Sequence, residues 1–124
     1  MAGRSVNGSR EFGPLEGEIM EAVWSADRAV SVREIVEALN AGRSEPLAYT
    51  TVMTVMNRLA DKQALSRSPA GRSYVYEATA PDPAGIAVKK VIRTYGDEAV
   101  AHFVDQARGD PELRRRMEQM LREQ

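Results

Sequence analysis

The 124-residue sequence contains no cysteine and a single histidine, His102. The first absence excludes disulfides, thiolate metal sites and cysteine nucleophiles. The second leaves no histidine cluster for a metal centre or a general-base relay. A glycine-rich phosphate loop is missing too. The chain is therefore not read as an enzyme, and neither a metal nor a cofactor is expected. No apolar run approaches the roughly 20 residues of a membrane span, and the first residues lack the apolar stretch of a secretory signal. The expectation is a cytoplasmic protein with no membrane insertion. Charge of one sign is also lacking: 17 Lys and Arg face 18 Asp and Glu, for a net charge of -1. The chain as a whole has no basic footprint of the kind nucleic-acid-binding domains usually carry.

What is present is an ordinary globular make-up. With 43% hydrophobic and 28% charged residues, the length suits one domain and a short appendage, and is too small for two independent cores. The charge that cancels overall is unevenly spread. From Pro14 to Ala41 six carboxylates face only Arg28 and Arg33. From Arg43 to Arg72 the cations Arg43, Arg58, Lys62, Arg67 and Arg72 face only Glu45 and Asp61. The second stretch is suited to face phosphates and the first is not.

Residues 1–13 are rich in Gly, Ser and Arg. With almost nothing apolar to offset the entropy of ordering, they are expected to form a flexible arm. Leu15, Ile19, Ala22 and Val23 then recur at helical spacing, widened by Met20 and Trp24, and predict an amphipathic first helix. Ser31 and Glu34 form a Ser-x-x-Glu capping box ahead of Val32, Ile35, Val36 and Leu39, predicting a second helix that ends near Asn40 to Gly42. A third is predicted from about Tyr49 to Lys62, with Val52, Val55, Met56 and Leu59 on one face. Its other face carries Thr50, Thr51, Met53, Thr54, Asn57 and Arg58. A merely solvated helix favours Glu and Lys, which have higher propensity, so clustered threonines point to a face that reads something.

A hairpin is predicted next. Leu65 to Arg67 and Ser73 to Glu77 have strand character, with Ser68 to Arg72 as the turn. Three helices and a hairpin make the winged-helix order. In that fold the third helix enters the major groove while wing cations, here Arg67 and Arg72, lie against flanking phosphates. The fold class is thus mainly α with a small β-hairpin wing: a winged helix-turn-helix domain over residues 14–80, then a three-helix segment over 81–124.

The punctuation of that last segment is clear. Asp82-Pro83 opens a helix that Gly96 closes, Asp97 opens one that Gly109 closes, and Asp110-Pro111 opens the third. Their apolar stripes hold Val88, Val91 and Ile92, then Phe103 and Val104, then Leu113, Met117, Met120 and Leu121. About 40 residues rarely close a core alone, so these faces are expected to meet the same faces of a second chain, forming a homodimer.

Four stretches carry a resemblance: LEGEIMEAVW from Leu15, SVREIVEAL from Ser31, AYTTVMTVMNRL from Ala48 and GRSYVYE from Gly71. Together they resemble the penicillinase-repressor family, the BlaI/MecI/CopY-type transcriptional regulators. The resemblance implies a homodimeric repressor on double-stranded DNA, at a palindromic operator of TACA/TGTA type. It places the DNA-contacting helix on Thr50, Thr51, Met53, Thr54 and Arg58, where Met53 departs from the polar residue some relatives carry. It further implies antibiotic-responsive release, in which a membrane-bound sensor metallopeptidase cuts the dimerisation region, at a point that maps to His102 and Phe103. The copper-responsive branch, whose members use C-terminal cysteines to bind metal, is disfavoured because the sequence has none. The alternative is a winged helix used only for protein contact. It suits the near-neutral charge and leaves the threonine face unexplained.

Overall fold

The computed structural model describes residues 12–123, and of the expected arm residues 1–11 therefore lie outside the described residues. The chain divides into two compact units, Met1–Ala87 and Val88–Gln124.

The first unit begins with α1 (Pro14–Ala26), which has proline at its first turn and the carboxylate of Glu16 accepting the Gly13 N–H at 3.1 Å. Phe12 sets its ring edge against Trp24, with ring centroids 6.4 Å apart. Asp27 ends α1 in a left-handed conformation. A two-residue strand, β1 (Val30–Ser31), leads directly into α2 (Val32–Asn40). The expected capping box is formed: Ser31 Oγ accepts the Glu34 N–H at 3.1 Å, and Glu34 Oε1 accepts the Ser31 N–H at 2.9 Å. Arg28 bonds the same carboxylate at 2.8 Å. That bond, joined by the Ser31 N–H, holds the Glu34 pKa down at about 2.

Helix α3 (Tyr49–Asp61) precedes the hairpin of β2 (Leu65–Ala70) and β3 (Ser73–Ala78). The sheet order is β1-β3-β2, antiparallel throughout, with Val30 opposite Tyr76 and Arg67 also opposite Tyr76. The turn is shorter than the five residues expected from sequence. Ser68, Pro69 and Ala70 continue β2, and the loop is only Gly71 and Arg72. Gly71 has φ +65°, the conformation that the first position of a tight two-residue hairpin turn requires. Pro69 is tolerated because β2 is an edge strand.

Ile19, Met20, Val23 and Trp24 of α1, Ile35 of α2, Val52, Met56 and Leu59 of α3, and Leu65 and Tyr76 of the hairpin form one buried cluster. The Trp24 indole N–H, which needs a partner when buried, donates to the Ala80 carbonyl at 2.8 Å.

The division between units falls within α4 (Pro83–Tyr95), which is followed by α5 (Asp97–Arg108) and α6 (Pro111–Arg122). Gly96, at φ +61° and ψ -132°, turns the chain from α4 into α5 in a conformation essentially confined to glycine. Asp110 caps α6 by accepting from the N–H groups of Glu112 and Leu113, each at 3.1 Å. Among the described residues, no helix is long and apolar enough to cross a membrane.

Candidate nucleic-acid interface

The buried face of α3 fixes its outward face. Val52, Val55, Met56 and Leu59 are buried, which turns Thr50, Thr51, Thr54 and Arg58 to solvent on the opposite side. Met53 and Asn57 lie on the flanks of this face and are half-buried, and Met53 packs against the core. Sequence periodicity alone placed all six together. The structure separates four exposed groups from two that also serve the interior.

Both ends of α3 are tied down. Ahead of it, Asn40 bridges the loop by donating to the Leu47 carbonyl at 3.1 Å and accepting the Leu47 N–H at 2.8 Å. Behind it, the Lys62 ammonium donates to both oxygens of Glu16, at 3.1 and 3.2 Å. Burial pushes the Glu16 pKa up, but the Gly13 N–H and the Lys62 bond, with the charges of Lys62 and Arg58, outweigh it and lower the pKa. This carboxylate, which joins the start of α1 to the end of α3, has no sequence signal beyond its place in the first turn.

The hairpin stands beside α3. Arg67 of β2 donates through Nη1 to Asn57 Oδ1 at 2.7 Å, and its guanidinium lies 5.2 Å from the centroid of the exposed Tyr74 ring. The buried Tyr76 hydroxyl donates to the same Asn57 oxygen at 2.8 Å. Arg72 is exposed in the turn. Of the five cations between Arg43 and Arg72, Arg43 pairs with Glu18 at 2.7 Å and Lys62 pairs with Glu16. The ion pairs of the described residues leave out Arg58, Arg67 and Arg72, one on α3 and two on the wing. The combination is an exposed helix face bearing hydroxyls and methyls beside a cationic hairpin. Hydroxyls serve bases or phosphates, methyls pack on thymine, and guanidinium groups bond phosphate oxygens.

In the second unit the residues expected to pair two chains are turned outward. Val88, Val91, Ile92, Phe103, Val104, Met117, Met120 and Leu121 are exposed, the last by 76%, and Leu113 is half-buried. His102 and Phe103 lie mid-way along α5, both exposed.

The penicillinase repressor family model matches residues 12–123. Two curated relatives, both named transcriptional regulator BlaI and from two strains of Mycobacterium tuberculosis, are 43% identical over 65 residues, covering 52% of this chain and 46% of theirs. The matched segment thus spans about half the length of those relatives. Among solved structures, a complex of hsRosR-S1 superposes with TM-score 0.52 at 15% identity over 92% of each chain. A complex of hsRosR-S4 gives TM-score 0.52 at 15% identity over 92% of this chain and 90% of that one. These two likenesses concern the fold alone. A family model that spans nearly all the described residues settles the identification: the chain belongs to the penicillinase repressor family.

Proposed function

We propose that the protein is a homodimeric repressor whose winged helix, residues 14–80, binds half of an inverted-repeat operator, and whose segment 81–124 pairs two copies. The observation that carries the reading is the outward threonine face of α3 flanked by Arg58, Arg67 and Arg72. Thr50, Thr51 and Thr54 face base edges in the major groove, with Met53 and Asn57 at its margin. Arg58 and the wing arginines meet phosphates.

Pairing is supported by the chemistry of the second unit. An apolar cleft of about 560 Å³, lined by Val91, Tyr95, Glu98, Ala99, Ala101, His102 and Phe103, opens among exposed apolar side chains. A contiguous apolar surface of that kind marks an interaction site. The occupant is a second copy, because each chain offers stripes of the same kind and a two-fold interface is self-complementary. Release by a membrane-bound sensor metallopeptidase fits the same geometry. The bond between His102 and Phe103 lies inside α5, so a protease reaches it only where the helix unwinds. In a segment with no core of its own, local opening is cheap.

Titrating the full chain into a duplex bearing a TACA/TGTA inverted repeat, and into the same duplex scrambled, tests the reading. Tight binding by two chains with a marked preference for the repeat is expected. Equal, weak binding to both duplexes contradicts it.

A further inference from the structure

A single side-chain oxygen joins the two parts of the DNA-facing surface. Asn57 Oδ1 accepts from the Tyr76 hydroxyl at 2.8 Å and from Arg67 Nη1 at 2.7 Å. An amide oxygen has two lone pairs, and both are engaged. Tyr76 is only 2% exposed and opposes Arg67 across the hairpin. A chain of bonds therefore runs from the core through Tyr76 and Asn57 to a guanidinium on the surface. The Tyr74 ring, 5.2 Å from Arg67 Cζ, supports that guanidinium from one face.

We infer that Asn57 is a positioning residue, which sets Arg67 in advance as the phosphate-contacting group of the wing and does not itself read a base. The inference rests on the reading of α3 and the wing as the DNA surface. Its physical content is preorganisation. A long arginine side chain loses rotamer freedom when a phosphate immobilises it, and that loss weakens binding. Held by one acceptor oxygen and one ring face, Arg67 is already ordered, and its other N–H groups stay open to a phosphate oxygen. Because the anchor belongs to α3 and the arginine to β2, the same bonds fix the spacing between the groove-facing helix and the phosphate-facing wing.

Salt-dependent binding of the full chain to operator and scrambled duplexes tests this. Asn57→Leu alone strands the buried Tyr76 hydroxyl, so the decisive variant is Asn57→Leu with Tyr76→Phe, which removes both ends of that bond. Tyr76→Phe alone keeps the link to Arg67 and is expected to bind within about twofold of the original chain. The paired variant and Arg67→Ala are each expected to bind about tenfold more weakly on both duplexes, with the salt slope reduced by about one. Adding Arg67→Ala to the paired variant causes no further loss, and the ranking of base-substituted operators does not change. Asn57→Ala with Tyr76→Phe removes the same oxygen with a smaller side chain and serves if the leucine version does not fold. A paired variant that keeps the original salt slope, or relaxes preference at one base pair, overturns the inference. Failure of the unsubstituted chain to bind DNA overturns the reading beneath it, and shows before any substitution is made.

Discussion

The two units bury their apolar side chains in opposite ways. In the first, α1, α2, α3 and the hairpin converge on side chains such as Ile19, Met20, Met56 and Leu59, each 0% exposed. In the second, Ala99 is the only buried residue among those described, while Phe103 and Leu121 remain 38% and 76% exposed. Helices with equally regular stripes thus give a closed core in one place and an open surface in the other. An amphipathic stripe says which face wants cover; it does not say whether the cover comes from the same chain. The first unit supplies its own, and the second leaves its stripes open to solvent.

The sharpest way to break this contrast is to charge the open surface. Leu113→Glu with Met117→Glu is expected to give monomers by light scattering and to weaken operator binding by roughly 10²–10⁴-fold, since the second half-site loses its high effective concentration. Heat denaturation of the winged helix should be unaffected. A variant that stays dimeric would show that the pairing faces lie elsewhere.

Large-to-small substitutions sharpen the same contrast. Leu59→Ala, inside the closed core, is expected to cost about 2–5 kcal/mol in urea denaturation at every protein concentration. Val91→Ala, on the open face, should instead give a loss that grows on dilution, because the proposed pairing makes the surface it trims common to two chains. Equal, concentration-independent losses at both sites would remove the distinction.

On the side proposed to face DNA, Arg58→Ala is expected to leave the fold intact and weaken binding about tenfold on all sequences, lowering the salt slope by about one. Unchanged affinity would count against the assigned face of α3.

The smallest effect concerns acid. The Glu34 carboxyl titrates at about 2 instead of 4.5 because Arg28 and the Ser31 N–H favour its ionised form. A lowered folded-state pKa contributes stability above the unfolded value and loses it as pH falls toward the folded one. Stability should therefore decline from about pH 4.5 toward pH 2, and Glu34→Gln should flatten part of that decline in acid-denaturation curves. An unaltered curve would separate the capping box from acid sensitivity.

Legibility in the sequence followed the range of the interactions. The α2 start, with Ser31 and Glu34, and the tail helices, with Asp110-Pro111 and Gly96, are set by neighbours within four residues, so the sequence marks them. The strand β1 is not legible, because two residues have no period and Val30 takes its place from burial in the core and pairing with the distant Tyr76. The extended wing was hidden by Pro69, which usually breaks a strand and here sits on an open edge. At the interface the hydroxyl face of α3 could be read from helical spacing. The second duty of Asn57 could not, because its partners lie ten and nineteen positions away. The same holds for Glu16 and Lys62, 46 positions apart.

The absence of cysteine opens the most direct test of which surface meets DNA. Asp61→Cys places a unique thiol on α3, exposed on the threonine side of the helix, and Ser25→Cys places one on α1. With a photo-crosslinker attached to each thiol in turn and operator DNA added, the account predicts crosslinks from position 61 and none from position 25. Crosslinks from position 25 alone would contradict it.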